Sequence, residues 1–280
     1  MKRLERKVCK AWLRKNITAA AGILRRGLAL VALVLPLQPA QAGGLDEIQA
    51  AGVIRVCADP HNLPFSDMGL APAGYDLDIA AEIAKALGVR LDYLWFHTSY
   101  EKRVLRQLYE GNCDFFMGLP TSIAESAPRL ILTRPYLRVG FVPVVPDDSA
   151  ATSLADLKGE KIGVEMMTVA DFHLFRNGYA RDLYRSQEEM FEALQSGRLR
   201  AAMMWLPVVD WEIKRHGGAA LKLLPIADAA IQFPLAIAVR KEDTDLRERI
   251  NAVLASLDAS GVIAQTLGRY GLENARSIVR

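Results

Sequence analysis

Only three cysteines and four histidines occur in 280 residues, too few for a disulfide scaffold or a histidine-rich metal tract. His61, His97, His173 and His216 lie far apart in sequence, never at the i, i+4 spacing of a helical metal pair. HExxH, GxSxG, a Walker loop and GxGxxG are all missing, which removes the usual protease, hydrolase, nucleotide and dinucleotide signatures. Cys57 and Cys113 lack the short spacing of a metal knuckle. No metal, no cofactor and no catalytic residue are therefore expected. Long apolar runs are also scarce. The longest, LALVALVLPL, is about half the ~20 residues a spanning helix needs.

That run has a different meaning. Nine Lys or Arg residues precede it, and Ala40-Gln41-Ala42 follows it. A basic region, a short apolar core and an A-x-A site describe an export signal, so residues 1–42 are expected to be cleaved after Ala42. The pair Arg25-Arg26 suits a twin-arginine signal, but Leu24 and Ala29 fit that pattern poorly, and ordinary Sec export is the simpler expectation. The basic region is long, which leaves open a translation start nearer Arg25.

Removing the leader reverses the charge. It takes nine of the 35 basic and one of the 32 acidic side chains, leaving 26 against 31. A mildly acidic exported protein argues against nucleic acid as a partner. Cys9 departs with the leader, and no lipobox surrounds it. Cys57 and Cys113 then form an even pair in an oxidising compartment, which favours a disulfide. Geometry objects: on adjacent parallel strands their three-residue stagger gives about 10 Å, beyond the ~7 Å Cα limit, unless a twist or bulge before Asp114 closes the gap.

About 238 residues remain, more than one compact core usually organises, so two lobes are expected. Strand VIRVC, helix DLDIAAEIAKAL, strand LDYLWF, a helix near 100–109 and strand DFFMGLP follow a βαβ order that implies a mostly parallel sheet. The extended run GFVPVVP reads as a crossing, after which the alternation restarts with KIGV. A second run, QFPLAIAV, mirrors the first, and two helices close the chain. The expectation is an α/β fold of two lobes joined by two crossing strands. Residues 43–139 with 240–280 form the first, discontinuous lobe, and 140–239 the second.

The segments IRVCADPHNLPFS, GYDLDIAAEIAKALG, LYEGNCDFFMGLP, RPYLRVGFVPVV, SLADLKGEKIGVEMMTVADF and ALQSGRLRAAMMW are each weak signals. In this order and spacing they resemble the type II periplasmic solute-binding proteins, across nearly the whole exported chain. More narrowly, CADPHNLPFS, GNCDFFMGLP and MMWLPVVDW look like the binding-protein homologues encoded beside PQQ-dependent quinoprotein dehydrogenases, the J-type accessory proteins of methanol dehydrogenase clusters. That resemblance implies a periplasmic monomer whose partner is a quinoprotein dehydrogenase or its cytochrome. A small-molecule ligand, delivered to an ABC permease, is the alternative. A cleft enzyme of dehydratase type is a distant third.

Two departures sharpen the resemblance. Amino-acid-binding members carry an arginine ten residues before the tyrosine of the PY pair, and here that position is Ser126. They end the strand matching RLRAAMMW in an aspartate, and here that position is Trp205. Both halves of a zwitterion clamp are absent.

Ligands of open α/β sheets bind beyond the carboxyl ends of the strands. This rule selects Asp59, Asn62 and Phe65 after the first strand, Tyr75 at the start of the next helix, and Gly118, Leu119 and Pro120 after the third strand. Tyr136, Trp205, and Met167 with Thr168 at a helix start that faces an anion complete the cleft set. Blander readings stand beside these. Asp59 equally suits a turn cap; Phe65 and Tyr75 suit loop packing, Tyr136 the hinge and Trp205 the core. Dehydratase chemistry needs a buried acid of perturbed pKa, and Asp59 is the candidate.

Overall fold

The computed structural model describes residues 44–69, 73–97, 101–122, 126–225, 228–272 and 276–277. The expected leader and its cleavage site lie outside these residues, as does Tyr100.

Local chemistry sets most element ends. Helix α1 (Leu45–Ala51) stops at Gly52, and α2 (Tyr75–Leu87) stops at Gly88, both glycines in the left-handed region. Along α2, Leu77, Ile79, Ile83, Ala84 and Leu87 are all buried, the stripe expected of an amphipathic helix. Strands β1 (Val53–Ala58), β4 (Arg90–Trp95) and β5 (Phe115–Pro120) pair in parallel with β1 in the centre. Helix α3 (Glu101–Tyr109) connects β4 to β5. A small hairpin, β2 (His61–Asn62) with β3 (Ser66–Asp67), folds the loop after β1.

The crossings are real strands and longer than their apolar cores. Following β6 (Leu130–Leu132), β7 (Leu137–Pro146) leaves the first half and β12 (Gln232–Arg240) returns to it. The two pair antiparallel, with Gln232 opposite Gly140 and Leu235 opposite Leu137. One sheet therefore runs through both halves in the order β4-β1-β5-β12-β7-β10-β8-β9. The second half contributes β8 (Lys161–Glu165), α4 (Val169–Arg176), β9 (Ala180–Tyr184), α5 (Gln187–Gln195), β10 (Ala202–Trp205), α6 (Leu206–Arg215) and β11 (Leu221–Leu223). Here β8 is the central strand, parallel to both β10 and β9.

Helices α7 (Thr244–Ala259) and α8 (Val262–Arg269) pack against α2. Leu246, Ile250, Leu254, Ile263 and Leu267 share a core with Ile79 and Ile83. No single described helix is long and apolar enough to cross a membrane.

The structure joins Cys57 to Cys113 with their Cα atoms 5.6 Å apart. Strand register does place Cys57 opposite Phe116, so the three-residue stagger exists. The 10 Å expectation nonetheless overshoots, because it measured along the strand. Asp114 still bonds into the sheet, its N–H donating to the Arg55 carbonyl at 2.9 Å. Cys113 instead arrives from α3 and is buried with Leu105 and Leu108 of that helix, as is Cys57. It approaches from the helix layer, across the strand rather than along it.

Candidate functional site

Where β1 ends, the chain leaves the sheet and returns through the β2–β3 hairpin to the start of α2. One backbone bond closes the loop on itself and two strap it to the helix. Phe65 N–H reaches the Asn62 carbonyl, Tyr75 N–H the Pro64 carbonyl, and Asp76 N–H the Phe65 carbonyl, at 2.8, 2.8 and 3.1 Å. Gly74 makes the strap possible. Its φ of 116° and ψ of 146° lie where side chains are strained, and a Cβ there would sit 2.3 Å from the Phe65 carbonyl oxygen. Gly74→Ala is expected to lose about 3 kcal/mol or more of stability, from backbone strain plus overpacking. Urea unfolding checks this; near wild-type stability would contradict the role given to Gly74.

A cavity of about 200 Å³ opens behind the strap. Its walls include Val56, Asp59, Asn62, Phe65, Asp76, Phe116, Met117 and Gly118 from the first half, Trp205 from the second, and Leu235 of the returning crossing. Among the described residues no basic side chain lines it.

Of the expected cleft residues, Asp59, Asn62, Phe65, Gly118 and Trp205 meet at this cavity. Asp59 is buried and caps its own turn, accepting from the His61 N–H at 2.9 Å. Trp205 packs with Phe141 and Phe233, ring centroids 4.9 and 5.7 Å away. The backbone N–H of Trp205 donates to the Gln187 side chain at 2.9 Å, and Gln187 donates in turn to Glu165 at 2.7 Å. This polar chain holds the end of β10 against α5.

The remaining expected residues are not brought to the cavity wall. Tyr75 is fully buried between Phe65 and Tyr270, and its hydroxyl has no hydrogen-bond partner among the described residues. Leu119 is buried with Cys57 and Leu105, in the layer beneath α3. Pro120 pairs across the sheet with Leu235. Tyr136 is fully buried and acts through its hydroxyl, described below. Met167 is 81% exposed, and Thr168 caps α4 by accepting from the Asp171 N–H. The helix start that was expected to face an anion already holds one, since the Asp171 carboxylate accepts from the Met167 N–H at 2.9 Å and pairs with Arg181.

Asp76, on the wall of the same cavity, is a buried acid of raised pKa. Burial raises its pKa from 3.8 to about 7, despite a bond from the Tyr136 hydroxyl at 2.8 Å that favours the charged form. Burial also pushes the Tyr136 and Tyr75 phenols well above their ordinary value, with the nearby Asp76 adding to both shifts. Gly118, with φ 73°, leaves room for the carboxylate: a Cβ there would lie 3.2 Å from Asp76 Oδ2. The sequence held a signal for Asp76. It falls at i, i+4, i+7 spacing with Ala80 and Ile83 on the buried stripe of α2.

His61 and His97, distant in sequence, meet with ring centroids 6.5 Å apart beside Asp67 and Asp59. Among the described residues no group of three or more His, Cys, Asp or Glu forms a metal cluster.

A two-half α/β sheet with a cavity where the halves meet has the architecture of a solute-binding cleft. Residues 54–273 match the bacterial extracellular solute-binding proteins, family 3, and the chain belongs to that family. It is 22% identical over 232 residues to the histidine-binding periplasmic protein of Salmonella typhimurium, covering 78% of this chain and 86% of that one. It is 23% identical over 279 residues to Protein MoxJ of Methylorubrum extorquens, covering 84% and 89%. Among solved structures, an ancestral cationic amino acid solute-binding protein superposes with a TM-score of 0.70 at 25% identity, covering 81% and 98%.

Proposed function

We propose that this chain is a periplasmic accessory protein that engages a PQQ-dependent quinoprotein alcohol dehydrogenase, or its cytochrome partner, and catalyses no reaction itself. Its lobes are residues 43–139 with 240–280, and residues 140–239. The observation that carries the reading is a cavity wall without a basic side chain among the described residues, with Trp205 where an amino-acid receptor needs its aspartate. A buried ligand carboxylate without a cation costs about 3–5 kcal/mol, or roughly two to three and a half decades of affinity. The likeness to MoxJ across 84% of the chain supports the same reading, together with the J-type character of CADPHNLPFS and GNCDFFMGLP.

A second reading has its own observation. The histidine-binding relative is as similar as MoxJ, which favours a receptor for an ABC importer of a small solute. Affinity capture from periplasm separates the two. Recovery of a quinoprotein dehydrogenase or its cytochrome with the tagged chain is the expected result. Recovery of an importer's permease without either would overturn it.

A further inference from the structure

The cavity contains a charge that the accessory role leaves unused. Asp76 is only 7% exposed, and among the described residues no Lys, Arg or His forms an ion pair with it. Tyr136 satisfies Oδ1 at 2.8 Å, while Oδ2 lies over Gly118, a residue that also lines the cavity. A carboxylate in such surroundings demands a positive partner or a proton. Beside it, Phe65, Phe116 and Trp205 supply aromatic walls, which attract the same sign of charge. The volume of about 200 Å³ is below the roughly 300 Å³ at which drug-sized sites begin. The occupant is therefore small, cationic at one end and apolar at the other.

We propose that this cavity binds a short primary alkylammonium ion, with Asp76 as its counter-ion and Phe65 and Trp205 packed against its chain. The proposal rests on the solute-binding architecture and is independent of a dehydrogenase partner. Binding requires ionised Asp76, so it strengthens through its value of about 7 while the ammonium remains charged. Among the described residues the other titratable groups around Asp76 are Tyr75 on α2, Tyr136 just before β7, Asp59 in the loop after β1, and the Tyr270–Asp78 pair. His61 and His97 stand at the outer side of that loop, near Asp59 and Asp67. Burial keeps the three tyrosines neutral throughout this range.

Calorimetric titration of the exported protein with n-propylammonium, n-propanol and propionate tests the proposal. The ammonium is expected to bind at least tenfold more tightly than either isostere at pH 8, and to weaken at least tenfold by pH 5.5. Asp76→Asn retains the acceptor for Tyr136 and is expected to lose the ammonium tenfold or more. Trp205→Leu removes an aromatic wall without touching the charge and is expected to weaken binding about threefold to tenfold. Equal binding of propanol, full binding by Asp76→Asn, or no saturable heat from the ammonium would each overturn the assignment. A dehydrogenase recovered by capture alongside a null titration would refute the site and leave the accessory role standing.

Discussion

Asp76→Asn should make this protein more stable at pH 8 and flatten its stability between pH 4 and pH 7. The folded-state pKa of Asp76 is raised to about 7, against 3.8 ordinarily. The folded protein therefore binds the extra proton, and stability falls as pH rises. The favourable contribution is fully present below about pH 4, declines through the window and is gone above about pH 7. At 1.36 kcal/mol per pKa unit the loss reaches up to about 4 kcal/mol. Asparagine preserves shape and the Tyr136 bond without acquiring charge. Urea unfolding of both proteins across this range measures the difference. Parallel pH curves would mean that Asp76 is not a buried acid.

Removing the disulfide should have a comparable effect of opposite sign. Cys57 and Cys113 are 56 residues apart, and closing a loop of that length stabilises by about 4 kcal/mol in the chain-entropy account. The bond also ties β1 to the layer under α3, where Leu105 and Leu108 are buried beside it. Replacing both cysteines by alanine avoids burying a new polar group and should cost about 2–5 kcal/mol. Denaturing, non-reducing thiol counts on the chain from Gly43 onward, which lacks Cys9, should find none free. Two free thiols, or a double variant as stable as the parent, would refute the bond.

Features encoded by near neighbours were legible in the sequence. The stripe Leu77, Ile79, Ile83 marks α2, the glycines at 52 and 88 mark helix ends, and the two apolar runs become β7 and β12. Features set by what packs overhead were not. Cys113 looks staggered from Cys57 until α3 is placed above both. Three-residue β6 is too short to carry a pattern and exists by pairing with β12. The site falls between these cases. Strand-end logic selected Asp59, Asn62, Phe65, Gly118 and Trp205, and topology brings these strand-end residues to one cavity. The same logic selected Met167 and Thr168, which lie off that cavity wall, where the Thr-x-x-Asp spacing of 168 and 171 belongs to a helix that caps itself. Asp76 was missed because an aspartate in a first helical turn reads as a dipole partner, whereas its stripe position places it inside.

The absence of a zwitterion clamp is the claim on which the functional account depends. Calorimetric titration of the chain from Gly43 onward with histidine, arginine and glutamate at pH 7.5 tests it most directly. The account predicts no saturable binding at micromolar concentration, since among the described residues the cavity around Asp76 and Trp205 offers an α-carboxylate no cation. A micromolar Kd for any of the three would contradict it and return the chain to the amino-acid receptors.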